Sequence, residues 1–167
     1  MNELNEQQCN TKYTFWKLLS EYQVEIPIIQ RDYAQGRNSA KAIRSELLDS
    51  IYSALVNGKS IDFDFVYGST EDCERKEGTT VKKLYPLDGQ QRLTTFYLLH
   101  WYLAQKEKRI DEARAVLKNF SYTTRISSRD FCEMLVDIDY TPCEDVQVSE
   151  YIKNENHSVY RETHCIR

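Results

Sequence analysis

Apolar residues recur along the chain in two rhythms, one near 3.6 residues and one near 2, and their succession predicts helices interleaved with strands. From Thr14 to Tyr22, the positions Phe15, Leu18, Leu19 and Tyr22 share one helical face. The run from Val24 to Gln30 is too short for a helix and contains Pro27, which fits a strand with the proline near its start or at an edge. A polar loop with Gly36 follows. A second helix has Ser39 in position to cap it and apolar residues at Ala40, Ile43, Leu47, Ile51, Ala54 and Leu55, and Asn57-Gly58 stops it.

Between Ile61 and Gly68 the pattern changes to strict alternation, which sets Phe63, Phe65 and Tyr67 on one side of a half-buried strand. The charged stretch from Glu71 to Gly78 reads as an exposed hairpin turn, and Val81 to Leu87 as the strand that returns from it. From Gln90 to about Lys106 runs the strongest helix. Leu93, Phe96, Tyr97, Leu98, Leu99, Trp101, Tyr102 and Leu103 cover nearly its whole circumference, so it should be central and buried. A helix over 110–119, a short strand from Phe120 to Thr124 and a helix from Ser127 or Ser128 through Leu135 complete the pattern. The expected fold class is α+β (mixed α/β): a small mixed sheet flanked by helices and centred on the 90–106 helix. Residues 1–140 form the expected domain. Periodicity fades after Tyr140, so 141–167 is expected to be a tail or the start of a further region.

Composition narrows the function classes. The 167 residues suit one domain, and 22 Lys+Arg against 26 Asp+Glu give a net charge of −4. A DNA grip built on bulk positive charge is excluded, leaving only local groups such as Lys82 and Lys83 with Arg125 and Arg129. No run of about 18 apolar residues is present to span a bilayer, and the N-terminus lacks a secretory pattern. Five cysteines, none spaced as C-x-x-C, fit reduced thiols in a cytoplasmic protein. Cys143, His157, His164 and Cys165 match no common zinc-finger spacing.

The candidate chemistry lies where a strand turns directly into the 90–106 helix, at Leu87-Asp-Gly-Gln-Gln-Arg-Leu-Thr-Thr95. One reading is purely structural: Asp88 caps the helix, Gln91 completes a capping-box-like pair, and Gly89 permits the turn. Arg92 is not explained by it. A helix N-terminus carries about half a positive charge and outward N–H groups, so a cation in the first turn is unfavourable unless an anion joins it there. Helix N-termini are phosphate sites for this reason, and a guanidinium fork suits phosphate oxygens. The rival is that Arg92 pairs with Asp88 or another carboxylate. A second polar cluster, Gln30-Arg31-Asp32-Tyr33, also follows a strand, and in an open sheet such loops converge beyond the strand ends. Arg31 and Arg92 could then face one polyanionic ligand from two sides.

The pair Ile26-Pro-Ile-Ile-Gln-Arg-Asp-Tyr33 and Asp88-Gly-Gln-Gln-Arg-Leu-Thr-Thr95 resembles the N-terminal domain of GmrSD-type restriction proteins, within a ParB-like, sulfiredoxin-like superfamily of bacterial defence systems. The order of elements is similar too, and the stretch Tyr122 to Phe131 resembles a further family segment. The likeness covers roughly residues 13–135. It implies binding and hydrolysis of a nucleoside triphosphate (GTP or ATP), coupled to restriction of modified DNA. Carried onto this chain, Asp88, Gln91 and Arg92 form the catalytic set, with Asp88 near an Mg²⁺ ion or the attacking water. Gln30, Arg31, Tyr33, Gly89, Gln90 and Thr94 complete the nucleotide site. Family members usually continue into a His-Asn-His type nuclease. Of His100, His157 and His164, the first falls within the long helix and the others in the unpatterned tail, so no such centre is expected. The expectation is an isolated N-terminal domain, a truncated form or a degraded copy, with the nuclease on a downstream domain or partner subunit and an oligomer open.

Two other patterns compete. Asn57-Gly-Lys-Ser60 suggests a phosphate loop, but Ser53 stands where the earlier glycine is required and the segment follows a helix. Asp64 with Glu74 and Lys76 resembles a metal-dependent nuclease set, but such residues belong on rigid neighbouring strands. With Glu74 in a charged turn and Asp64 alternating toward solvent, a solvated hairpin is the favoured account. A non-catalytic module that senses nucleotide or DNA is the remaining alternative.

Overall fold

The computed structural model describes residues 11–27, 38–63, 65–74, 80–123 and 126–138. Helix α1 (Phe15–Glu21) starts at Thr14, whose hydroxyl accepts from the Lys17 N–H at 3.2 Å. Strand β1 (Gln23–Ile26) follows, and a short 3-10 turn over Asn38–Ala40 leads into α2 (Lys41–Val56). Then come β2 (Gly68–Glu74), β3 (Thr80–Pro86), α3 (Gln90–Lys106), α4 (Ile110–Leu117), β4 (Phe120–Tyr122) and α5 (Ile126–Asp137). Among the described residues no helix is long and apolar enough to cross a membrane.

The four strands form a mixed sheet in the order β2-β3-β1-β4, with β2 antiparallel to β3 and β1 parallel to both β3 and β4. Register divides its faces. Val24 lies beside Phe120 and Ile26 beside Tyr122, and these four are buried with Leu19, Leu93, Tyr97 and Leu135. Side chains one position along point the other way, where Lys83 Nζ meets Glu25 Oε1 at 2.6 Å. This is the α+β arrangement that the periodicities predict.

Helix α3 binds the C-terminal end of α5 through hydrogen bonds as well as apolar packing. The Tyr97 hydroxyl donates to the Cys132 carbonyl at 2.7 Å, the Trp101 indole to Leu135 at 2.6 Å, and the Gln105 amide to Ile138 at 2.7 Å. These residues are four apart, so they form one stripe on α3. The last carbonyls of a helix have no partner within it; of these, Leu135 accepts from Trp101, and Val136 accepts from Arg114 of α4 at 3.0 Å.

Several elements depart from the sequence expectation. Residues 61–63 and 65–67 are not a strand; they form an irregular strap, and the described strand lies further on, at Gly68–Glu74. Alternating apolar residues fit a strap that tucks one ring inward as well as they fit a strand, and β2 is polar because its side chains are exposed. Glu74 is the final residue of β2, not part of a turn. Helix α2 has no side-chain cap from Ser39 and buries no residue; Ile43 and Leu55 are more than half exposed, whereas Leu47, Ile51 and Ala54 are half-buried. Asn57 and Gly58 do end it, with Gly58 at φ +60°. The tail 141–167, Cys9 and the Cys143/His157/His164/Cys165 group lie outside the described residues, as do Asp64, Lys76 and Arg125.

Candidate active site at the start of α3

Gly89 is the cap residue of α3, and it is buried in the left-handed conformation at φ +80°. No side-chain hydrogen bond caps this helix, and its first turn holds no acidic residue. Asp88 therefore stands just outside the helix and not at the capping position expected for it. The glycine is required twice over. A positive φ strains any residue with a Cβ, and a Cβ here would lie 2.7 Å from Cγ2 of Val66 in the strap.

The strap is fastened to this corner by backbone bonds. Leu87 and Asp88 both donate their N–H groups to the Tyr67 carbonyl, at 2.9 and 3.2 Å. Arg92, its side chain mostly buried, donates from Nη2 to the Phe65 carbonyl at 2.9 Å and from Nη1 to the Phe63 carbonyl at 3.4 Å. Asp88 Oδ2 lies 3.7 Å from the same Nη2, and the Asp88 side chain is 55% exposed. The ion pair weighed against a phosphate role is thus present, although it is long and joined by two carbonyl contacts.

The other motif residues take distinct stations. Gln90 donates from its side-chain amide to the Pro86 carbonyl at 2.9 Å, tying the end of β3 to the first turn of α3. Half-buried Gln91 offers its carbonyl to the Thr95 hydroxyl at 2.9 Å. Thr94 is buried; its hydroxyl donates to the Gln90 carbonyl at 2.8 Å and meets the Tyr122 hydroxyl at 2.9 Å. It supports the corner from beneath, with its hydroxyl on protein partners. Gln30, Arg31 and Tyr33 lie outside the described residues.

His100, nearly three turns along α3, is not part of this corner. Its Nδ1 donates to the Phe96 carbonyl at 2.8 Å, and its ring packs 4.9 Å from that of Phe15. Burial lowers its pKa from the ordinary histidine value, partly offset by the bond to Phe96.

Among the described residues no group of three His, Cys, Asp or Glu is placed to share a metal ion. Mg²⁺ carried on substrate phosphates needs one or two carboxylates rather than a cage of three, and Asp88 could supply one. The strap is the part of the corner that sequence reasoning missed as such. Its signal was the alternation at Phe63, Phe65 and Tyr67: Phe63 packs edge-on against Phe96 with centroids 4.9 Å apart, whereas Phe65 and Tyr67 are 66% and 55% exposed.

The family model for the N-terminal domain of the GmrSD restriction endonuclease matches residues 15–164. No curated protein and no solved structure matches the chain.

Proposed function

Because the chain belongs to the GmrSD restriction endonuclease N-terminal domain family, we propose that it is the nucleoside triphosphate-binding and -hydrolysing module of a restriction system. The single observation that carries this reading is the opening of α3: a helix N-terminus without a side-chain cap or first-turn acid, holding Arg92 in that turn. Its N–H groups favour an anion, and the guanidinium adds to the same field. The triphosphate, GTP or ATP, would rest on these groups, with Gly89 and Gln90 shaping the turn beneath it and Gln91 alongside. The family resemblance assigns a second wall to Gln30, Arg31 and Tyr33, which lie outside the described residues.

In hydrolysis, a water oxygen forms a bond to the γ-phosphorus while the bond to the β–γ bridging oxygen breaks. Asp88, exposed beside this turn, would orient that water and accept its proton. Arg92 would stabilise charge on the phosphoryl oxygens, a contribution worth orders of magnitude in rate where it is made. In the alternative role, Asp88 would instead help hold Mg²⁺ on the phosphates, where the ion would supply charge neutralisation. A nuclease on a separate domain or subunit would cleave modified DNA.

One observation favours a second reading, a nucleotide- or DNA-sensing module without turnover. Arg92 already donates to two strap carbonyls, so its part can be to hold the corner together. Phosphate release from GTP and ATP, with and without Mg²⁺, separates the two. Turnover that Asp88→Ala lowers far more than it lowers nucleotide affinity supports hydrolysis, whereas binding without release under any divalent ion supports the sensor. A chain that binds neither nucleotide defeats both as nucleotide readings.

A further inference from the structure

The strap carries an unusual pair of rings. Phe65 and Tyr67 are exposed, with centroids 6.0 Å apart and planes inclined by 33°. Large aromatic side chains are ordinarily buried, and Phe63 in the same strap is packed on Phe96. These two are not on a loose loop. The Phe65 carbonyl is held by Arg92, and the Tyr67 carbonyl receives both the Leu87 and Asp88 N–H groups. The backbone that carries the rings is therefore fixed to the same turn that opens α3. Leu87, 66% exposed, continues the apolar surface toward Asp88.

We infer that Phe65 and Tyr67 form the stacking platform for the nucleobase of the bound nucleotide. The inference rests on the nucleotide reading above and adds the part of the ligand that the α3 N-terminus does not address. Every base has a flat π-face, so stacking on exposed aromatic rings tolerates different bases and grows with ring area. The platform therefore predicts that purine triphosphates bind more tightly than pyrimidine ones. It also predicts that a nucleotide binds more tightly than its phosphates alone.

Calorimetric titration of the full chain with GTP, ATP, UTP and inorganic tripolyphosphate tests this. Phe65→Ala and Tyr67→Ala should each weaken purine nucleotide binding by about tenfold and leave tripolyphosphate binding unchanged. Phe65→Trp should keep the affinity, and nucleotide, but not tripolyphosphate, should quench the indole emission it adds. If both alanine variants bind GTP and ATP like the parent while Arg92→Ala does not, the platform is overturned and the phosphate site stands. Tripolyphosphate that binds the parent as tightly as GTP and ATP likewise removes the platform. A parent chain that binds none of these ligands removes platform and phosphate site together.

Discussion

Arg92 and Phe65 are 27 positions apart, and Nη2 of the one donates to the carbonyl oxygen of the other at 2.9 Å. With the Phe63 contact at 3.4 Å, the guanidinium spans two carbonyls of the strap. Lysine has one ammonium and no planar fork. Arg92→Lys should lower stability by about 1.5–3 kcal/mol, the range for losing a hydrogen bond to a charged group. Urea unfolding measures it, and an unchanged midpoint and slope would mean that the fork adds nothing to the fold.

Gly89 and Val66 make a second, separable prediction. Gly89→Ala meets two costs: a left-handed backbone, about 1–2 kcal/mol for a residue with a Cβ, and the approach to Val66 at 2.7 Å. Val66→Ala in the same chain should recover the second and not the first. A double-mutant cycle in urea reads the coupling; strictly additive losses would show that the two residues do not collide.

The sequence was most legible where side chains are buried. The apolar stripes at Phe15–Tyr22 and Leu93–Trp101 mark α1 and α3, and the short apolar runs at Val24 and Phe120 mark two core strands, because water is excluded from one face of each. It was least legible where exposure removes that pressure. Gly68–Glu74 is a strand made of polar residues, and its pairing with β3 is backbone chemistry that leaves no apolar signature. Asp88 satisfied every local rule for a cap, yet the cap is Gly89. Which of two adjacent residues takes that position depends on Val66 and the strap, more than twenty residues earlier, and short-range patterns carry no such information. The motif's place at the start of α3 was legible; the strap carbonyls that hold Arg92 were not.

Trp101 tests the attachment of α3 to α5. Trp101→Phe keeps a buried ring but leaves the Leu135 carbonyl without the indole donor at 2.6 Å. An unsatisfied buried acceptor costs about 1–3 kcal/mol, and the unfolding midpoint should fall accordingly. A variant as stable as the parent would mean that the carbonyl finds another donor.

His100 gives the fold a pH dependence of definite sign. Its folded pKa lies below the ordinary value of 6.5 because burial disfavours the imidazolium. The unfolded chain therefore binds the proton more readily. The associated stability is fully present above pH 6.5 and is lost as pH falls through that value toward the folded pKa. Melting temperature should drop between pH 7.5 and pH 5.5, and His100→Gln should flatten that part of the profile. An equal drop in the variant would assign it to other groups.

The stripe of Tyr97, Trp101 and Gln105 ties the far turns of α3 to a helix more than thirty residues downstream. A peptide copied from Leu87 to Lys106 would thus be no miniature of this corner. Its motif would be intact in spelling, but it would lack the strap that receives Arg92 and the partner that keeps those turns wound. The five-residue signature works as a latch whose frame is distributed across the chain, so transplanting it into another scaffold would carry the letters and leave the geometry behind.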